Sequence, residues 1–146
     1  GLHDIVNTIL DWAEKNGSRE IVILDGVASK THDGKAFCAA EEDLCRVMES
    51  NDINMIPQGF ITGVAGGLLN ECLMRPIQGI TLLVKANDKG ADPLAAATLV
   101  DAVNRAYGLN INTSDLRKKK KRIGEDFREL SDKYTEHRKI DSNMYM

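Results

Sequence analysis

Two short aliphatic runs constrain this chain more than anything else in it. Glu20-Ile21-Val22-Ile23-Leu24 and Gly79-Ile80-Thr81-Leu82-Leu83-Val84, the second continuing to Ala86, are apolar almost without interruption. A strand with one face in water alternates apolar and polar residues, whereas a strand covered on both faces does not. Both runs read as strands buried on both sides, which is the pattern of a parallel sheet between layers of helices. Parallel neighbours need a crossover of a dozen or more residues, so the remaining chain has to supply helices.

It supplies them on schedule. Leu2, Ile5, Val6, Ile9, Leu10 and Ala13 share one helical face, and Asn16-Gly17 stops that helix. Ala36–Ala39 predicts a short strand. Glu41–Glu49 predicts a helix with Leu44, Cys45 and Met48 on one side. Ile53, Met55 and Ile56 lead to Pro57, and Gly59-Phe60-Ile61-Thr62 reads as another short strand. Gly63-Val64-Ala65-Gly66-Gly67 then turns into a helix carrying Leu68, Leu69, Cys72 and Leu73, which Arg75-Pro76 breaks. Asp92-Pro93 opens the next helix with a capping carboxylate and a proline at the first helical position, and Gly108 closes it. Asn112-Thr113-Ser114-Asp115 caps a last helix, in which Leu116, Ile123 and Leu130 repeat at sevens, as do Phe127 and Tyr134. Helices alternating with buried strands give an α/β class with a largely parallel sheet. A chain of this class that opens on a crossover helix is expected to be the C-terminal portion of a longer domain.

Composition removes several functional classes. With 146 residues, 42% hydrophobic and 28% charged, the chain has the makings of one packed domain and is not disordered as a whole. The net charge of −3 and a pI near 5.6 argue against a dedicated nucleic-acid binder. No apolar run approaches the roughly 20 residues of a membrane-spanning helix. Cys38, Cys45 and Cys72 are odd in number and lack a Cys-x-x-Cys spacing, which speaks for a reducing cytoplasm and against a disulfide framework. His3, His32 and His137 are scattered, so neither a metal nor a cofactor is expected.

The residues that could carry chemistry are few. The Gly63–Gly67 cluster follows a strand and precedes a helix, as phosphate-binding loops do. It matches neither Gly-x-Gly-x-x-Gly nor the Walker pattern, so a tight turn is the better reading. Cys72 sits among leucines and reads as core. Asp25 follows the first aliphatic run, at the sheet edge where α/β sites gather. Asp25, Gly63 and Gly66 form a candidate ligand crevice, and Asp25 with His32 and Asp33 forms a candidate acid–base set. A polar loop is the better account of these last three, and no catalytic residue is assigned. The basic run Arg117–Arg122 is followed by Glu125, Asp126, Glu129 and Asp132, as on a solvated helix face.

After Tyr134 the apolar period ends. Residues 136–146 are expected to form a flexible tail behind a folded unit at 1–135. That tail is polar apart from Ile140 until it finishes in Met144-Tyr145-Met146. An apolar tip with a terminal carboxylate suits capture in a pocket on another protein.

Taken together, Ile61-Thr62-Gly63-Val64-Ala65-Gly66-Gly67-Leu68-Leu69-Asn70-Glu71-Cys72, Gly79–Val84, Asp92-Pro93-Leu94-Ala95-Ala96-Ala97 and Leu109-Asn110-Ile111-Asn112-Thr113-Ser114-Asp115-Leu116 resemble the archaeal branch of the proteasome assembly chaperone family. Ile21–Gly26 fits that family's strand-and-glycine segment, and the order of the segments agrees over residues 1–135. The resemblance implies a three-layer α/β fold of phosphorylase-like topology, no catalysis, and homo-oligomers. Several archaeal members end in hydrophobic–Tyr–any residue, a tail that docks between neighbouring proteasome α subunits. Here those positions are Met144, Tyr145 and Met146. The alternative is an α/β enzyme or small-molecule binder with its site near Asp25, Gly63 and Gly66.

Overall fold

The computed structural model describes residues 1–57 and 61–144. In chain order the elements are helix α1 (Leu2–Lys15), strands β1 (Glu20–Ala28) and β2 (Ala36–Ala39), helix α2 (Glu42–Glu49), strand β3 (Asn54–Met55), helix α3 (Gly63–Cys72), strand β4 (Gln78–Ala86), and helices α4 (Pro93–Tyr107) and α5 (Ser114–Met144). The strand expected at Gly59–Thr62 falls mostly outside the described residues, and Ile61 and Thr62 are not in a strand.

The sheet order is β1-β4-β2-β3. The two aliphatic runs lie side by side and parallel, in register from Glu20↔Gln78 to Ala28↔Ala86. β2 is parallel to β3 but antiparallel to β4, Phe37 pairing with Leu83. The sheet is therefore mostly parallel, with one antiparallel seam. That seam arises because β2 follows β1 through a short loop, too short for a parallel crossover.

Helices cover both faces, making three layers. On one face Ile80, Leu82 and Val84 of β4 and Cys38 of β2 pack with Cys45 and Met48 of α2 and Ala95 and Ala102 of α4. On the other, Val6, Leu10 and Ala13 of α1 pack with Leu68 and Cys72 of α3 and with Ile77. The small side chains Ala95, Ala97 and Ala102 let α4 approach the sheet closely; all three are buried.

β4 is the strand buried on both faces, as its sequence requires. β1 is not: it pairs only with β4 among the described residues, and Leu24 is 49% exposed. Its aliphatic run signalled a covered strand, but within this chain it forms the sheet edge. The α1 stripe divides in the same way. Val6, Leu10 and Ala13 are buried, while Leu2, Ile5 and Ile9 stay exposed. One helix meeting one neighbouring layer buries only the part of its circumference that faces it.

Candidate functional site

β1 and β4 end together. Their parallel register runs to Ala28↔Ala86, and the Ser29 N–H donates to the Ala86 carbonyl at 2.9 Å just beyond it. The loops leaving the two strands diverge around a cavity of about 500 Å³, with Ser29–His32 on one side, Lys85–Lys89 on the other and Asp92 at the α4 end. This is the carboxyl edge of a parallel pair, where α/β proteins place ligands.

Asp92 organises that end. Its Oδ1 accepts the Ala95 N–H and its Oδ2 the Asn87 N–H, each at 3.0 Å, so one carboxylate caps α4 and closes the β4–α4 loop. Burial alone would raise its pKa, but these two backbone donors and nearby His32 hold it below the ordinary aspartate value. Asp33 pairs with Lys85 at 2.8 Å, and that hydrogen-bonded ammonium lowers its pKa as well. His32 Nδ1 accepts the Gly34 N–H at 2.8 Å, while its Nε2 is buried with no partner.

The three crevice residues singled out in the sequence are arranged differently. Asp25 lies inside β1, three residues before its end, half-buried, and its Oδ1 accepts the N–H of Gly26 at 2.8 Å. It does not line the cavity at the strand ends, and neither does Gly63 or Gly66. Gly63 has φ +66° at the first position of α3, a conformation that favours glycine. At Gly66 a Cβ would stand 2.2 Å from the carbonyl oxygen of Ile61, because the chain entering α3 folds back over it. Both glycines are accounted for by the entry into the helix. His32 and Asp33 do reach the strand ends, but Asp33 binds Lys85 and not His32. The sequence reading missed Lys85, Asn87 and Lys89. The available signal was that two polar loops follow two parallel strands and must therefore lie beside each other.

Cys72 is buried against α1 and Ile77, and burial pushes its thiol pKa up. Among the described residues, no group of three or more His, Cys, Asp or Glu is placed to hold a metal ion. No helix among them is long and apolar enough to cross a membrane.

The second candidate site is the far end of α5. The helix is anchored at its start, where the Thr113 Oγ1 and the Arg117 guanidinium both donate to the Asp101 carboxylate on α4. From Gly124 to Met144 every residue is exposed. Of the apolar sevens, Phe127, Leu130 and Tyr134 are 74%, 66% and 72% exposed. Residues 136–144, in the segment expected to form a flexible tail, continue the helix. Glu136, Arg138 and Lys139 are good helix formers without any apolar period, and Lys133 pairs with Glu129 one turn back at 2.9 Å. At about 1.5 Å per residue the helix is roughly 46 Å long. Met144 is 77% exposed at its tip; Tyr145 and Met146 lie outside the described residues.

The profile of the PAC2 family matches residues 2–131. An uncharacterized protein of Methanocaldococcus jannaschii is 26% identical over 133 residues, a match covering 88% of this chain and 56% of that protein. Among solved structures, Pyrococcus furiosus PbaA, described as an archaeal homolog of proteasome-assembly chaperone, superposes with a TM-score of 0.87 at 25% identity. That match covers 99% of this chain and 62% of PbaA. P. furiosus PbaB, described as an archaeal proteasome activator, gives 0.79 at 27% identity, over 90% of this chain and 58% of PbaB. A Thermoplasma acidophilum protein of unknown function gives 0.74 at 29% identity, over 97% and 59% of the respective chains. The chain thus spans somewhat less than two thirds of the length of each.

Proposed function

The chain belongs to the PAC2 family, and on that premise we propose that it is a non-catalytic chaperone of proteasome assembly that binds proteasome α subunits through Met144, Tyr145 and Met146. The observation that carries this reading is the placement of α5. A helix pinned to α4 at one end and exposed from Gly124 to Met144 carries Met144 away from the α/β body. A tip held at the end of such a helix reaches a pocket on a partner without the body having to fit there. The names of PbaA and PbaB, one a homolog of a proteasome-assembly chaperone and the other a proteasome activator, favour the same partner.

The chemistry of the tip suits that role. Tyr145 offers a ring to fill a pocket and a hydroxyl to hydrogen-bond within it. The Met146 carboxylate pairs with a lysine or with backbone N–H groups. A three-residue contact is weak alone, so several tips on one homo-oligomer acting together supply the strength. The reading also places the protein in the cytoplasm with its proteasome partner. The test is a pull-down of α subunits by the full chain and by a chain lacking Met144–Met146. Capture by the first and not the second is expected; equal capture refutes the tail as the binding element.

A further inference from the structure

The cavity at the ends of β1 and β4 plays no part in tail docking, yet its lining is that of a ligand site. Its cations are Lys30, Lys85 and Lys89. Lys85 is committed to Asp33, whereas Lys30 and Lys89 form no ion pair with any described residue. The Asp92 carboxylate is occupied by two backbone N–H groups, and the α4 N-terminus is thereby closed: Pro93 has no N–H and Ala95 is capped. The donors for an anion are therefore side chains from two loops.

His32 does not add a third donor. Because its Nδ1 accepts the Gly34 N–H, the neutral ring carries its proton on Nε2, and that N–H is buried without an acceptor. With essentially no exposed surface, that N–H is out of reach of a ligand in the cavity. The remaining lining is of another kind. Ser29, Asn87 and Asp88 present a hydroxyl, an amide and a carboxylate, and no Phe, Tyr or Trp lines the cavity to stack a base. Asp88 would repel a bare anion but accepts hydrogen bonds from hydroxyl groups.

We infer that this cavity binds a small phosphorylated polyol of the sugar-phosphate class. Lys30 and Lys89 hold the phosphoryl oxygens, and Asp88, Asn87 and Ser29 hold the hydroxyl groups. The volume of about 500 Å³ accepts a ligand of that size. The assignment is independent of tail docking, since no residue of α5 takes part.

The experiment is titration calorimetry of the full chain with ribose 5-phosphate, inorganic phosphate and ribose in turn. Saturable binding of ribose 5-phosphate is expected, with phosphate weaker and ribose weaker still. Lys30→Ala and Lys89→Ala each weaken the phosphorylated ligand by about tenfold, the loss of one charge-assisted hydrogen bond. Both lysines are exposed, so the variants retain the wild-type melting temperature. Asp88→Asn reduces the preference for ribose 5-phosphate over phosphate. The inference is overturned if ribose 5-phosphate does not saturate, if it binds no more tightly than phosphate or ribose, or if the lysine variants bind as well as the wild type.

Discussion

Arg75, just past the end of α3, donates to the Asp11 carboxylate of α1 at 2.6 Å. Its second terminal nitrogen donates to the Asn7 side chain at 2.7 Å, and Glu14 lies 3.6 Å away. One guanidinium thus ties the exit of α3 to a full turn of α1, and its hydrogen bond to Asp11 raises its own pKa. Arg75→Ala is expected to lower the melting temperature by a few degrees. Arg75→Lys is expected to recover only part of this, because an ammonium lacks the planar fork that reaches two partners at once. The difference from wild type should shrink in about 1 M salt, where exposed charges are screened. Melting curves of the three proteins at low and high salt check it.

Gly66→Ala tests the entry into α3. Alanine favours a helix, but the new methyl group meets the Ile61 carbonyl at 2.2 Å, a backbone atom that cannot step aside as a side-chain end does. A net destabilisation of roughly 1–3 kcal/mol is expected, in the range of an overpacked core. Urea unfolding measures it. A stabilised Gly66→Ala protein would mean that Ile61 does not fold back over the helix.

The cysteines should be silent in the native state. Cys38 is fully buried, and burial together with its hydrogen-bonded neighbour Cys45 pushes its pKa up to about 12. Burial raises that of Cys72 as well. Because the thiolate is the reactive form, a disulfide exchange reagent at mildly alkaline pH should modify none of the three in the folded protein and all three in denaturant. Rapid reaction of one thiol without denaturant would contradict the packing of both cores.

Asp92→Ala should cost about 0.5–2 kcal/mol, the loss of a helix cap, and should also alter the acid side of the stability profile. The folded pKa of Asp92 lies below its ordinary value. Its contribution is therefore fully present above the unfolded pKa of about 3.9 and is lost as pH falls through the folded value. Wild type and variant should differ most at neutral pH and converge in strong acid. Denaturation midpoints measured from pH 7 down to acid unfolding report the difference.

Tyr145→Ala, and separately deletion of Met146, should abolish or sharply weaken binding to proteasome α subunits and leave the melting temperature unchanged. The described residues preceding them, Gly124 to Met144, are exposed and belong to neither core. Calorimetric binding beside thermal melts separates the two effects. Wild-type binding by Tyr145→Ala would remove the tail from the docking role, whereas a lowered melting temperature would make the tail structural.

What the sequence determined by itself is local. The apolar period placed α1, α2 and α4 within a residue or two. Asp92-Pro93 and Gly108, the latter at φ +62°, marked both ends of α4, and the uninterrupted run at Gly79–Ala86 identified the strand buried on both faces. These signals are legible because caps and periodicity act over one or two helical turns. The proposed docking residues Met144, Tyr145 and Met146 rest on the sequence alone. Tertiary structure decided what depends on which distant segments meet. It put the equally aliphatic β1 at the sheet edge, set β2 antiparallel to β4, left Asp25 inside a strand, and brought the loops after β1 and β4 around one cavity. A side chain's pattern records that it is buried, but not by what. Residues 31–33 and 85–92 are distant in sequence and become neighbours only through the nine-residue parallel register of β1 with β4.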